Sequence, residues 1–241
     1  MAAMTDLRVA GDPAAASTTL ARVPLFRVLP EADVNAIARA ARVRRFRRGE
    51  VIFHQGDPGD ALFIVVQGRV KISLPSDAGE EAILATLRVG DFFGELSLLD
   101  GAPRSASATA LDSTETLIVP RDRFREAIEH LPGFRDALFE LLAHELRRLT
   151  THVEELHFLD MTGRLAARLT RLAEEQGERM PDGSVRLDGP YTQADLASMV
   201  GSTRQSVNKL LGMFASDGLL RLERDAIVVL DLEGLRRASR R

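Results

Sequence analysis

The 241-residue sequence contains no cysteine, which excludes disulfide bonds, thiolate metal sites, cysteine-ligated iron–sulfur clusters and thiol catalysis together. It also has no apolar run near the length of about 18 residues that a membrane-spanning helix needs. No basic start followed by an apolar stretch is found at the N-terminus, so a secretory signal is not indicated. These absences favour a cytoplasmic protein with no membrane partner and no metal site.

The net charge of −3 argues at first against a nucleic-acid partner, because phosphate binding depends on lysine and arginine. The charge is unevenly distributed, however. From Met161 onward there are 13 basic and 11 acidic residues, a net of +2, whereas the first 160 residues have a net of −5. The difference indicates two parts with different partners.

The first half of the chain predicts a short helical region followed by a small β-domain. Residues 1–18 are small and polar, which predicts a disordered lead-in, and Leu25–Ala41 has helical spacing with Pro30 opening a helix. Between Arg48 and Pro120, short β-branched runs alternate with glycines, as in an antiparallel barrel or sandwich. The predicted strands are Val51–Phe53, Leu62–Val66, Val70–Leu74, Ala82–Leu87 and Thr114–Val119.

Helical periodicity begins after Pro120. We predict a helix over Arg121–His130, a break at Pro132-Gly133 and a long helix from about Phe134 to Leu159. The long helix carries apolar residues at alternating spacings of three and four, as in paired helices. So narrow a stripe favours a parallel homodimer seam over the alternative, a core helix within one chain. The seam residues are Phe139, Leu142, Leu146, Leu149, Val153 and Leu156.

The C-terminal part predicts a helix-turn-helix. A helix begins after an N-cap at Asp160 or Thr162. Thr192 and Asp195 have the spacing of a capping box, Ser202 and Gln205 repeat it, and Gly201 supplies the tight turn between two short helices. A hairpin and a last helix follow, at Leu219–Leu222, Ile227–Leu230 and Leu232–Ala238.

The second helix of this motif carries side chains that suit base recognition. Arginine pairs bidentately with guanine, glutamine and asparagine pair with adenine, and lysine serves guanine or phosphate. Gln205 has two alternative roles, because a capping partner of Ser202 would face the backbone rather than DNA. The predicted DNA-contacting residues are Gln193, Ser202, Arg204, Gln205, Ser206, Asn208 and Lys209.

A second segment predicts a binding site for a small ligand. Gly94 allows a close approach of the backbone, Glu95 suits a sugar hydroxyl, and Arg104 beside Ser105 suits a phosphate. On these residues alone, an internal salt bridge between Glu95 and Arg104 is an equal alternative.

The run Phe93–Leu98, followed after five residues by Arg104–Ala106, resembles the phosphate-binding cassette of cyclic-nucleotide-binding domains. With the glycine-punctuated strands, the Phe158–Asp160 hinge and the helix-turn-helix, the chain from about Leu25 onward resembles the cyclic-AMP receptor protein (Crp–Fnr) family of bacterial transcription regulators. The resemblance implies an α+β fold: an N-terminal cyclic-nucleotide-binding β-roll (double-stranded β-helix), a long dimerisation helix and a C-terminal winged helix-turn-helix.

The expected domains follow from this resemblance. After the lead-in, we expect the sensor domain over residues 19–132, the dimerisation helix and hinge over residues 133–160, and the winged DNA-binding domain over residues 161–241.

The resemblance also implies roles for individual residues. Glu95 would hold the ribose 2′-hydroxyl, while Arg104 and the neighbouring Ser105 would hold the phosphate. A serine at this place favours cyclic AMP over cyclic GMP. The purine would contact Thr150 or Thr151 from both subunits, an assignment that leaves the base open. The predicted ligand-binding set is Gly94, Glu95, Leu96, Arg104, Ser105, Thr150 and Thr151.

The expected function is therefore a homodimeric, ligand-responsive regulator that binds palindromic double-stranded DNA, with RNA polymerase as a further partner and no cofactor apart from the regulatory ligand. It is not expected to be an enzyme, since no Walker loop, metal cluster or Ser–His–Asp grouping is found. The alternatives are a constitutive regulator and one that responds to cyclic di-GMP. A haem sensor is disfavoured by the scattered spacing of His54, His130, His144, His152 and His157.

Overall fold

The computed structural model describes residues 13–75, 81–188 and 191–239, apart from the side chains of Arg148, Leu156 and Asp188. The chain divides into two compact units, Met1–Glu145 and Leu146–Arg241. Within the described ranges, no helix is both long enough and apolar enough to cross a membrane. Antiparallel sheets and helices occur in both units, which confirms the predicted α+β class.

The first unit begins with α1 (Pro13–Leu20), α2 (Pro24–Arg27) and α3 (Glu31–Ala40), and Pro30 is the N-cap of α3. The prediction of a disordered lead-in is wrong for residues 13–18, which form most of α1, while residues 1–12 lie outside the described part. Ala16 and Leu20, one turn apart, are buried, and Ser17 Oγ donates a hydrogen bond of 2.6 Å to Asn35 Oδ1 on α3. Packing against α3 therefore orders this segment.

The β-domain of the first unit consists of β1 (Arg42–Phe46), β2 (Val51–Phe53), β3 (Ala61–Gln67), β4 (Val70–Pro75), β5 (Glu81–Leu87), β6 (Phe92–Phe93), β7 (Ser107–Ala110) and β8 (Thr114–Pro120). These strands form two antiparallel sheets, ordered β1-β8-β3-β6 and β2-β7-β4-β5. The chain passes repeatedly between the two sheets, as a β-roll requires. All five predicted strands are present, whereas β1, β6 and β7 were not predicted.

Aromatic rings fill the space between the two sheets. The Phe63 and Phe93 rings are stacked with their centroids 5.2 Å apart, and the Phe53 ring lies 5.5 Å from Phe63 and 5.8 Å from Phe93. Buried Val70 and Ala108 join the same cluster from the other sheet. This packed interior forms the floor beneath the predicted ligand segment.

Helices α4 (Leu96–Asp100), α5 (Arg121–His130) and α6 (Pro132–Phe158) complete the first unit, and α6 continues into the second. The bounds of α5 agree with the prediction. Pro132 was expected to break the helical pattern, but it is the first residue of α6. Proline is well tolerated there because the amide of the first helical residue has no partner within the helix.

The second unit contains α7 (Met161–Gln176), β9 (Glu178–Arg179), β10 (Val185–Asp188), α8 (Gln193–Val200), α9 (Arg204–Ser216), β11 (Leu220–Leu222), β12 (Ala226–Val229) and α10 (Leu232–Ala238). Its sheet is antiparallel in the order β11-β12-β10-β9. Asp160 caps α7, because its Oδ1 accepts the Gly163 amide at 2.7 Å. The hairpin β11–β12 and α10 lie where the sequence predicted them.

Candidate functional site

Arg104 organises the predicted ligand segment, and it is only 3% exposed. Its Nη1 donates to the carbonyl oxygen of Gly94 at 2.7 Å and to Ser97 Oγ at 3.2 Å. Its Nη2 donates to the carbonyl oxygen of Ala61 at 2.9 Å. These three hydrogen bonds join β3 to the segment that leads into α4.

Two aromatic rings and one carboxylate complete the surroundings of this guanidinium. Its carbon lies 4.4 Å from the ring centroid of Phe53 and 5.5 Å from that of Phe63, within cation–π distance. Asp60 Oδ1 lies 3.7 Å from Arg104 Nη2. The ion pair of Arg104 is therefore with Asp60, and the alternative of an internal salt bridge to Glu95 is wrong.

The Nε of Arg104 is a buried donor with no hydrogen-bond partner among the described residues. Burial lowers the pKa of Arg104, and the carboxylates of Asp60, Glu95 and Asp57 oppose that effect. Arginine nevertheless stays protonated in proteins. A buried, charged donor without an acceptor is costly, and an anionic oxygen is the acceptor that stabilises it best. This site therefore suits a phosphate.

Two glycines allow the close packing around Arg104. Gly94 has a φ of +86°, and a Cβ there would lie 2.4 Å from Arg104 Nη1. A Cβ on Gly59 would lie 2.4 Å from Ser97 Oγ. The close approach predicted at Gly94 is thus made by the guanidinium itself. In the sequence, Gly59 was only one of the glycines that alternate with the β-branched runs.

The other predicted ligand residues of the first unit lie beside Arg104. Glu95 is the N-cap of α4 and is partly buried, whereas Leu96 and Ser105 are exposed. Burial raises the pKa of Glu95, the Glu145 carboxylate adds to this effect, and Arg104 opposes it. The carboxyl therefore favours its protonated form more than an exposed glutamate does.

Arg121, the first residue of α5, belongs to the same network and was not predicted. Its Nη1 donates to the carbonyl oxygen of Gly59 at 3.2 Å, and its Nη2 donates to that of Ser97 at 3.1 Å. Ser97 thus accepts hydrogen bonds from both Arg104 and Arg121. The sequence held no signal for this role, because the acceptors of Arg121 are backbone carbonyls.

The predicted purine contacts lie on α6 within the second unit. The hydroxyl of Thr150 donates to the carbonyl oxygen of Leu146 at 3.0 Å, and that of Thr151 donates to Arg147 at 3.2 Å. Each hydroxyl oxygen can still accept a hydrogen bond. The contact of either threonine with a purine stays a prediction.

The helix-turn-helix is formed by α8 and α9. Thr192 and Asp195 form the predicted capping box of α8, and Gly201 has the predicted left-handed conformation, with a φ of +63°. The second capping pair, Ser202 with Gln205, is wrong. Thr203 is the N-cap of α9, and its Oγ1 accepts the amide of Ser206 at 3.2 Å. The side chain of Gln205 is therefore not needed as a cap.

One face of α9 is buried and the other is exposed. Val207, Leu211 and Phe214 are buried, which fixes the rotation of the helix. The opposite face exposes Arg204, Gln205, Asn208 and Lys209, and half-buried Gln193, Ser202 and Ser206 lie in the same motif. Gln193 contacts two of the exposed residues: its Nε2 donates to Asn208 Oδ1 at 2.9 Å, and its Oε1 accepts from Arg204 Nε at 3.5 Å.

Most of the predicted seam residues of α6 are exposed in the single chain. Phe139 is 60% exposed, Leu146 65%, Leu149 48% and Val153 53%. Leu142 instead packs partly against the core of the first unit. The side chain of Leu156 lies outside the described part. Large apolar side chains exposed at regular spacing indicate a surface that a partner covers.

Comparison with known proteins links both sites to one family. Residues 43–130 match the model of the cyclic nucleotide-binding domain, and residues 163–238 match that of the Crp-like helix-turn-helix domain. The chain is 35% identical over 221 residues to a "CRP-like cAMP-activated global transcriptional regulator" of Mycobacterium tuberculosis, covering 92% of this chain and 98% of that protein.

Two proteins of Thermus thermophilus agree with this result. The "Cyclic AMP receptor protein" is 35% identical over 202 residues, covering 83% of this chain and 88% of the relative. The crystal structure of a transcriptional regulator of the CRP/FNR family has a TM-score of 0.65 and 31% identity, covering 83% of this chain and 98% of the other. The chain therefore belongs to the Crp–Fnr family, as a DNA-binding transcription regulator with a cyclic-nucleotide-binding domain.

Proposed function

We propose that a cyclic nucleotide, with cyclic AMP favoured, binds beside Arg104 and controls the DNA binding of a homodimer. The observation that carries this proposal is the buried Arg104, whose Nε has no acceptor among the described residues. The names of the Mycobacterium and Thermus relatives, which refer to cyclic AMP, support this choice of nucleotide.

Different residues around Arg104 bind different parts of the nucleotide. Arg104 and Ser105 hold the phosphate, Glu95 accepts a hydrogen bond from the ribose 2′-hydroxyl, and Gly94 with Leu96 brings the backbone close to the sugar-phosphate. Thr150 or Thr151 contacts the purine. No catalytic group is proposed, because the named relatives are regulators rather than enzymes.

A second copy of the chain covers the apolar stripe of α6. The alternating spacing of three and four residues is that of a two-helix seam, and the exposed side chains of Leu146, Leu149 and Val153 continue it beyond Phe139. Residues 133–160 then act as the dimerisation helix and hinge, between a sensor domain at 19–132 and a DNA-binding domain at 161–241. The two-fold symmetry of such a dimer favours a palindromic DNA site.

Leu146→Asp tests the dimer. We expect a monomer in sedimentation velocity, because two carboxylates would be buried in the seam. Val89→Asp is the matched control, since Val89 is 64% exposed on a turn of the β-domain and Leu146 is 65% exposed. A dimer that survived Leu146→Asp would contradict this use of the stripe.

The exposed face of α9 reads the DNA site. Arg204 and Lys209 supply cationic donors, and Gln205 and Asn208 supply amides. Gln193, Ser202 and Ser206 add contacts at the edge of this face, and RNA polymerase is a further partner of the bound dimer.

Titration calorimetry with cyclic AMP, cyclic GMP and cyclic di-GMP tests the ligand. We expect cyclic AMP to bind most tightly and Arg104→Lys to lose this binding, because lysine lacks the forked donor. Preferred binding of cyclic di-GMP would support the alternative of a regulator that responds to cyclic di-GMP. Binding of none of the three, with DNA binding retained, would support a constitutive regulator.

A further inference from the structure

Gln193, the first residue of α8, connects the two side chains of α9 that are best suited to read bases. Its Nε2 lies 2.9 Å from Asn208 Oδ1, and its Oε1 lies 3.5 Å from Arg204 Nε. Gln193 is half-buried, whereas Arg204 and Asn208 are exposed. The glutamine is therefore the most sheltered of the three side chains.

Arg204 determines the direction of both hydrogen bonds that Gln193 makes with α9. A guanidinium can only donate, so the Gln193 atom that faces it must be the amide oxygen. The amide nitrogen of Gln193 then faces Asn208, and it can only meet the oxygen of that side chain. One donor thus fixes the orientation of two amides in sequence.

This orientation determines what Arg204 presents to a base. Its Nε is directed toward Gln193, so the edge formed by Nη1 and Nη2 remains for another partner. Two parallel donors are what the O6 and N7 atoms of guanine accept. The contact with Gln193 also reduces the number of conformations that a long exposed side chain would otherwise lose on binding.

The same orientation changes what Asn208 presents. Bidentate pairing with adenine needs an asparagine oxygen to accept from N6 and an asparagine nitrogen to donate to N7. Here the oxygen is turned toward Gln193, from which it accepts, so the amide nitrogen is the group that faces away from Gln193. Asn208 then favours a base with an acceptor in the major groove, such as guanine or thymine.

We propose that Gln193 is a positioning residue for base recognition, which directs the forked edge of Arg204 toward guanine and makes Asn208 a hydrogen-bond donor. This inference rests on the proposed DNA reading by α9. It assigns Gln193 an effect on sequence specificity, which a contact with the DNA backbone would not have.

Two variants separate the two hydrogen bonds. Gln193→Met keeps the length of the side chain and removes both contacts. Gln193→Glu keeps the acceptor for Arg204 but cannot donate to Asn208, whose amide would then turn and present its oxygen to the base. Met therefore weakens the choice of base at both positions, whereas Glu changes it only at the position of Asn208.

The experiment is selection of binding sites from a random duplex library with the full-length protein and cyclic AMP. Fluorescence anisotropy on the selected site and its single-base variants then gives the discrimination at each base. We expect Gln193→Met to reduce discrimination against the wrong base at the Arg204 position by about tenfold. We expect Gln193→Glu to retain that discrimination and to switch the other position toward adenine or cytosine, which carry donors.

An equal loss of affinity on every sequence, with unchanged base preference in both variants, would overturn the inference and make Gln193 a backbone contact. The salt dependence of binding should stay unchanged in Gln193→Met, because neither glutamine nor methionine displaces a counterion. If Gln193→Met fails to fold, the change of base preference at the Asn208 position in Gln193→Glu tests the inference on its own. A wild-type protein that selected no sequence would contradict the proposed function itself.

Discussion

Two arginines of this protein are held in opposite ways. Arg104 is buried and donates to the backbone carbonyls of Gly94 and Ala61, so the fold itself orients its guanidinium. Arg204 is exposed, and the contact that orients it is with the side chain of Gln193. The ligand site is therefore held by the fold of its unit. The orientation of Arg204, by contrast, can be changed by substituting Gln193 alone, without changing the fold.

The largest expected effect is that of Arg104→Ala on stability. Removal of the side chain leaves the carbonyl oxygens of Gly94 and Ala61 without their donor and leaves a cavity against Phe53. Together these should cost about 3 kcal/mol of unfolding free energy. Arg204→Ala is the matched control and should cost less than about 0.5 kcal/mol, because the side chain is exposed. Urea unfolding followed by circular dichroism measures both. Equal losses in the two variants would contradict the comparison.

In DNA binding, Arg204→Ala should have a larger effect than Arg104→Ala. Arg204→Ala should lose about 1–3 kcal/mol of affinity for a selected site. Loss of the same size on random DNA would reduce Arg204 to a phosphate contact.

Glycine substitutions sharpen the description of the ligand site. Gly94→Ala should cost about 3 kcal/mol, because a positive φ is strained for alanine and its Cβ would collide with Arg104. Gly49→Ala should cost about 1 kcal/mol, since Gly49 has a φ of +80° but no atom within 4 Å of the added Cβ. Thermal unfolding separates the strain, which both share, from the collision, which only Gly94→Ala has.

Loss of the N-cap of α9 should destabilise the second unit. Thr203→Ala should destabilise it by about 1 kcal/mol, because the Ser206 amide loses its acceptor. Ser202→Ala should cost less, since Ser202 is not the cap. Hydrogen exchange of the first amides of α9 measures the difference. Greater exchange in Ser202→Ala would restore the capping pair predicted from the sequence.

The smallest effects concern pH, and two glutamates should act in opposite directions. Burial raises the pKa of Glu95, so its stabilising contribution is full below its unfolded pKa and is lost as pH rises. For Glu155, burial raises the pKa, but the hydrogen bond with His152 and the charges of Arg171 and Arg168 outweigh burial, so the pKa is lowered overall. The contribution of Glu155 is therefore present at neutral pH and is lost as pH falls.

Glutamine variants test these signs. Between about pH 3 and pH 6, Glu95→Gln should become more stable relative to the wild type as pH rises above about 4.3, the pKa of an unperturbed glutamate. Glu155→Gln should become less stable relative to the wild type as pH rises toward about 4.3. Unfolding free energies measured across this range, with slopes of the same sign in both variants, would contradict the assignment.

The sequence predicted the elements that have strong periodicity and missed those that do not. Strands β2 to β5 and β8 are β-branched runs between glycines, and α5 and α10 have clear helical spacing. Strand β1 is mostly arginine, β6 has only two residues, and β7 has small side chains, so none of them is a β-branched run like those of the other strands. These three strands owe their pairing to the sheets around them.

The sites were predictable where residue type alone carries the chemistry. Arg104 and the exposed face of α9 followed from such residues, but the acceptors of Arg104 are carbonyls that only the fold brings near. Arg121 was missed for the same reason. The cap of α9 was misplaced by one residue, because Ser202 and Thr203 are both good caps and the backbone angles decide between them.

The most direct test of the central claim is the affinity of the wild-type protein for a selected DNA duplex, measured by fluorescence anisotropy with and without saturating cyclic AMP. We predict that cyclic AMP tightens DNA binding by about tenfold, or about 1.4 kcal/mol, and that Arg104→Lys abolishes this response while its basal DNA binding remains. An affinity that is the same with and without cyclic AMP would contradict the account.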